Sequence, residues 1–219
     1  MNILRLMRVP DLFSLLNAVF GFGAILAACR GDTGFSILLV ILSAVFDGID
    51  GFLARKMNTS DLGFSLDSLA DLVSFGVAPA VLVVVAFDFS GYALAASLIY
   101  LTCGTLRLAR FNSSAKDDKF FEGFPITASG MATVACLLLD RPWLTYAIML
   151  FLSILMVGSI PYPKIRDVRL VAAFVLVLLA SAILIQFMGD ATSSGALILT
   201  AMIVYMASPV VISCQPIGK

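Results

Sequence analysis

The sequence predicts an all-α, polytopic integral membrane protein, a bundle of about eight transmembrane helices. Three observations carry this expectation. Apolar residues make up 61% of the 219-residue chain and only 13% are charged, against about 25% charged in a typical soluble domain. Mean hydropathy is +1.05, and the apolar residues fall into runs suited to a hydrocarbon core about 30 Å thick, which takes about 20 helical residues to cross. The cations gather in alternate connections between those runs.

The first run, 12–29, follows Arg5 and Arg8 and lacks a small-residue cleavage site, so it is expected to be retained and not removed as a signal peptide. The second, 34–54, stops at Arg55 and Lys56. A short polar stretch, ARKMNTSDLG, leads into 65–87, where Pro79 is expected to kink the helix and release a carbonyl that needs another partner. The fourth run, 91–109, ends among Arg107 and Arg110, and the longest polar connection, 112–123, follows it. The fifth run, 125–139, is short and is parted from the sixth, 143–160, by Asp140-Arg141-Pro142; Trp143 there reads as an interface anchor. Taking 125–160 as one bent unit gives a seven-span variant. The runs 168–188 and 193–212 complete the chain. With no low-complexity segment and no internal repeat, residues 1–219 read as one domain.

Placing the N-terminus inside puts twelve of the fourteen Lys and Arg residues in cytoplasmic segments, leaving Arg30 and Arg141 outside. Shifting the parity by one span destroys this asymmetry, so both termini are expected in the cytoplasm. Net charge is zero, and nothing points to nucleic acid. Histidine is absent, which excludes His-based acid–base chemistry and His-ligated metals. Cys29, Cys103, Cys136 and Cys214 stand singly in or beside apolar runs and read as small buried hydrophobes.

Against this apolar background stand Asp47, Asp50, Asp67 and Asp71. A carboxylate at membrane depth costs roughly 2.5 kcal/mol or more, and four close together repel one another. Asp47 and Asp50 are three apart and Asp67 and Asp71 four apart, so each pair shares a helix face. A hairpin through the polar stretch between them brings the pairs opposite each other at the cytoplasmic mouth. Four carboxylates supply hard oxygen ligands suited to Mg²⁺ or Mn²⁺, enough for two ions. Gly48, Gly51 and Gly63 leave the backbone bare beside them, open to a bulky ligand or to close helix packing, and Arg55 lies one turn past Gly51 where its fork can reach a phosphate.

The run Asp47-x2-Asp50-Gly51-x2-Ala54-Arg55-x7-Gly63-x3-Asp67-x3-Asp71 resembles the signature of the CDP-alcohol phosphotransferase family, integral membrane enzymes that transfer a phosphatidyl-type group from a CDP-activated donor to an alcohol. The spacing between Arg55 and Gly63 is seven residues where the family pattern usually has eight, in a connection where length changes are tolerated. The resemblance implies that Asp47, Asp50, Asp67 and Asp71 bind two divalent cations, Mg²⁺ or Mn²⁺, and that Asp71 is also the general base. It implies that Gly51, Ala54, Arg55 and Gly63 line the cytidine diphosphate pocket.

Further segments resemble the membrane-integral phosphatidylserine synthase branch: LDSLADLVSFGVAPA (66–80), CGTLRLARFN (103–112), GFPITASG (123–130) and IPYPK (160–164). The implied acceptor is L-serine and the implied donor a CDP-activated lipid, with acyl or isoprenoid tails equally admissible; family members commonly look dimeric. Serine carries a carboxylate, and Arg107 and Arg110, one helical turn apart, are the candidate acceptor-binding cations; the same pair can hold a phosphate or simply anchor the helix at the interface. Glycerol phosphate or inositol phosphate is the competing acceptor. A cation transporter is the reading from another class, disfavoured because the carboxylates lie at one surface and not at the midplane.

Overall fold

Helix positions follow the punctuation of the apolar runs. The computed structural model describes residues 7–57, 61–113, 120–163, 176–177, 180, 183 and 191–213. Helix α1 (Val9–Cys29) carries Pro10 in its first turn, with Asp11 there accepting the Arg8 N–H at 2.8 Å. Gly31, at φ +80°, turns the chain into α2 (Thr33–Met57). Helix α3 (Asp61–Asp71) runs without a break through a π-helical turn (Leu72–Val77) into α4 (Ala78–Ala86). Helix α5 (Gly91–Ser113) follows. Strand β1 (Phe120–Glu122) precedes α6 (Ile126–Leu138) and α7 (Pro142–Val157). Strand β2 (Pro161–Pro163) and, beyond it, α8 (Ala191–Ser213) complete the described elements.

Among the described residues four helical stretches are long and apolar enough to cross a membrane: Val9–Cys29, Thr33–Ala54, Leu62–Ala86 and Gly91–Ser113. Helices α6 and α7 and the segment Thr192–Met206 are apolar but shorter. The expected span 168–188 lies outside the described residues apart from four positions, so the structure supports a helical membrane architecture without fixing the number eight. Residues 125–160 form two helices, not one bent unit: α6 ends at Leu138, Asp140 adopts φ +50°, and Pro142 opens α7. With 13 residues, α6 is about 20 Å long, and all of them except Thr127 are buried. A helix apolar on every side belongs inside a bundle; α6 packs against α7, α8 and the π turn.

A short ladder departs from the all-helical expectation. β1 pairs antiparallel with β2, with Phe121 opposite Tyr162. It closes the end of the molecule where α5 and α7 finish and α6 starts.

Between helices the glue is small and polar. Ser36 donates to the Ala24 carbonyl at 2.6 Å and Ser97 to the Ala80 carbonyl at 3.0 Å. Hydroxyl-to-carbonyl bonds of this kind let apolar helices associate where no water drives them together. Pro79 has no N–H for the carbonyl of Phe75, and the Tyr100 hydroxyl from α5 donates to it at 2.8 Å. The released carbonyl expected from the sequence therefore has its partner.

Candidate active site

Asp47 reaches the site from α2, Asp67 and Asp71 from α3. One carboxylate oxygen from each lies within 4.8 Å of the others. Asp71 is the last residue before the π turn, and such a turn inside an α-helix re-aims the side chains beside it. Asp50 is buried but directed elsewhere: it accepts the hydroxyl of Ser14 from α1, with buried Asp11 as a charged neighbour. Three of the four carboxylates thus converge directly, and Asp50 stands beside them, a sixth of a turn round the helix from Asp47.

The described surroundings are tightly built. Thr127, at the start of α6, lies beside Asp47. Asn17 on α1 is fully buried and its Nδ2–H donates to Asp71 Oδ1 at 3.2 Å. The Asn17 backbone carbonyl accepts Ser43 of α2 at 3.2 Å and Ser74 of the π turn at 2.9 Å. Ser68, next to Asp67, donates to Asn112 Oδ1 on α5 at 2.7 Å. None of Ser14, Asn17 or Thr127 enters the site in the sequence analysis. The one available signal was that Ser14 and Asn17, three apart, put polar groups on one face of an otherwise apolar span.

The two arginines of α5 diverge. Arg107 is buried, 6% exposed, and acts electrostatically on Asp71 and Asp47, with its guanidinium 5.4 Å from the centre of the Phe111 ring and Tyr205 of α8 close by. Arg110 turns to backbone carbonyls instead: Val157 at 3.0 Å, Glu122 at 2.7 Å, Met156 at 2.9 Å and Gly158 at 3.0 Å. It caps the C-terminus of α7 and ties that end to β1. Gly123, at φ +80°, makes this possible, because a Cβ there would sit 2.3 Å from the Met156 carbonyl oxygen and 2.4 Å from the Arg110 guanidinium.

Of the expected nucleotide-pocket residues, Gly51 is exposed, and a Cβ added to it would meet nothing within 4 Å. Ala54 is half-buried on α2 and Gly63 is buried on α3. The side chain of Arg55 lies outside the described part of the structure.

Three carboxylates around one space carry more negative charge than Arg107 offsets, and unpaired charge at such depth costs several kcal/mol. The Asn17 Oδ1, buried beside them, has no hydrogen-bond partner among the described residues. A buried unpaired acceptor costs about 1–3 kcal/mol. An all-oxygen donor set with surplus negative charge fits Mg²⁺ or Mn²⁺, which demand oxygen ligands.

Comparison with known proteins decides the family. The sequence profile described as CDP-alcohol phosphatidyltransferase matches residues 7–214. The chain belongs to that family. It is 36% identical over 171 residues to the archaetidylserine synthase of Methanothermobacter thermautotrophicus, covering 75% of this chain and 73% of that one. It is 39% identical over 165 residues to the CDP-diacylglycerol–serine O-phosphatidyltransferase of Methanocaldococcus jannaschii, covering 74% and 77%. The Helicobacter pylori enzyme of the same name is 35% identical over 185 residues, with 78% of each chain covered. The protein is thus a phospholipid-synthesising transferase of the CDP-alcohol type, with an aspartate cluster suited to the divalent cations the family generally uses.

Proposed function

We propose that this protein transfers the phosphatidyl or archaetidyl group of a CDP-activated lipid to the hydroxyl of L-serine, releasing CMP. The observation that carries the reading is the convergence of Asp47, Asp67 and Asp71 beside buried Arg107, in a chain whose relatives are named archaetidylserine synthase and CDP-diacylglycerol–serine O-phosphatidyltransferase.

In this reading Asp47, Asp50, Asp67 and Asp71 hold two divalent cations, Mg²⁺ or Mn²⁺. When bound, these supply charge neutralisation for the diphosphate and for the CMP that leaves. Gly51, Ala54, Arg55 and Gly63 receive the cytidine diphosphate, the glycines by leaving room and Arg55 by its bidentate fork. Asp71 takes the proton from the serine hydroxyl as its oxygen attacks the lipid-bearing phosphorus; the bond from that phosphorus to the CMP oxygen breaks in the same displacement. A primary alcohol is a poor nucleophile at neutral pH, so a base within hydrogen-bond reach is needed. Arg107, buried and cationic beside the cluster, receives the serine carboxylate. Charge distribution supports an eight-span arrangement with both termini and this site on the cytoplasmic side.

The test is CMP release by purified protein with CDP-diacylglycerol and Mn²⁺ or Mg²⁺, comparing serine with glycerol phosphate and inositol phosphate. Serine- and metal-dependent release is expected, and Asp71→Asn should reduce it about 100- to 10 000-fold, the usual worth of a general base, while CDP-lipid binding persists. Release with a phosphorylated acceptor in place of serine would overturn the substrate assignment.

A further inference from the structure

Asn17 occupies a singular position. Its backbone carbonyl is held by Ser43, four residues before Asp47 on α2, and by Ser74, three residues after Asp71. Its backbone is therefore fixed to both helices that supply the carboxylates. The side chain satisfies only one of its two ends. Nδ2–H donates to Asp71 Oδ1 at 3.2 Å, while Oδ1 is buried without a partner among the described residues. Reversing the amide would set the carbonyl oxygen against an ionised carboxylate, so the charge of Asp71 dictates which end faces it. An asparagine serving only to join helices would satisfy both ends; this one is committed to Asp71 alone.

We propose that Asn17 is a positioning residue for Asp71: its amide holds one carboxylate oxygen and so directs the other toward the space shared with Asp47 and Asp67. The role rests on the proposed reaction for what Asp71 does, but not for where Asp71 points. Groups that orient a ligating side chain are typically worth 10- to 100-fold in metal affinity or activity.

The experiment compares Asn17→Leu, similar in shape but without a donor, with Asn17→Ser, smaller but with a hydroxyl to donate. Two readouts are taken on folded, detergent-purified protein: a direct Mn²⁺ binding isotherm, and kcat against KM for CDP-diacylglycerol. Asn17→Leu should weaken Mn²⁺ binding about tenfold and lower kcat about 10- to 100-fold, with KM for the lipid little changed; Asn17→Ser should recover part of both losses. Equal losses in the two variants would show that shape and not hydrogen bonding matters, and would overturn the proposal. Parental Mn²⁺ affinity and kcat in Asn17→Leu would overturn it too. Should Asn17→Leu not fold, Asn17→Ala replaces it, since it matches serine in size and lacks only the hydroxyl. A parent protein that releases no CMP with serine would sink the proposed reaction while leaving the Mn²⁺ comparison decisive.

Discussion

Arg107 and Arg110 carry the same charge one turn apart on α5, yet their surroundings differ, and in the proposed reaction their work differs too. Arg107 is buried among the carboxylates and against Phe111; Arg110 is fastened to four backbone carbonyls at the end of α7 and in β1. Lysine keeps the charge in both places but loses the planar fork that reaches several acceptors at once. Arg107→Lys should therefore raise the KM for serine about tenfold or more, since a hydrogen bond to a charged group is worth about 1.5–3 kcal/mol. Arg110→Lys should leave that KM nearly unchanged and lower stability by about 1–3 kcal/mol, read as a drop in Tm. Steady-state kinetics and thermal unfolding of the two variants check this. A matching rise in serine KM for Arg110→Lys would place both arginines in the acceptor pocket. Sequence alone left the pair unranked because their spacing and charge are equivalent; what separates them is where α7 ends and where Gly123 permits the chain to turn.

At the scale of the element, the continuous helix from Asp61 to Ala86 shows what a sequence states and what it withholds. Its ends were legible: the polar connection before Asp61 and the Phe87–Ser90 turn bound a long apolar run. The need created by Pro79 was legible as well, because a missing N–H always leaves a carbonyl to satisfy. The π turn was not, and neither was the identity of the partner, since Tyr100 meets Phe75 only through packing of α5 on the π turn. The pairing of Asp67 with Asp71 was visible in their spacing, whereas the amide from α1 that meets Asp71 was hidden in a run that reads as plain apolar span. Tyr100→Phe keeps the ring and removes the hydroxyl, leaving the Phe75 carbonyl buried and unpaired at a cost of about 1–3 kcal/mol. Tm should fall accordingly. Adding Pro79→Ala supplies an N–H in the helix and should restore part of the loss; a double variant no more stable than Tyr100→Phe would show that the hydroxyl acts otherwise than by serving that carbonyl.

Across the whole molecule the two ends differ in chemistry. The aspartate cluster, Arg107, the Arg110 clamp and the β1–β2 ladder gather at one end. At the other, Tyr92, Trp143 and Tyr146 cluster, with ring centroids 5.2 Å apart for the tilted pair Tyr92 and Trp143 and 5.8 Å for Trp143 and Tyr146, which meet edge to face, and Phe87 meets Tyr146 edge-on. Amphipathic rings clustered so, with Trp143 69% exposed, suit a membrane–water interface. In the proposed orientation, which rests on the cation asymmetry, the aspartate end faces the cytoplasm, where the nucleotide-activated donor and the CMP of the proposed reaction belong. Cys29, exposed at the C-terminus of α1, lies at the opposite end. In a variant whose other cysteines are replaced, a membrane-impermeant maleimide should label Cys29 on intact cells. With Cys29 also replaced and Ser113→Cys introduced at the end of α5, labelling should require that the cells be opened. The reverse pattern would turn the molecule over, placing the carboxylates outside and removing the charge argument for a cytoplasmic active site, whatever the reaction catalysed there.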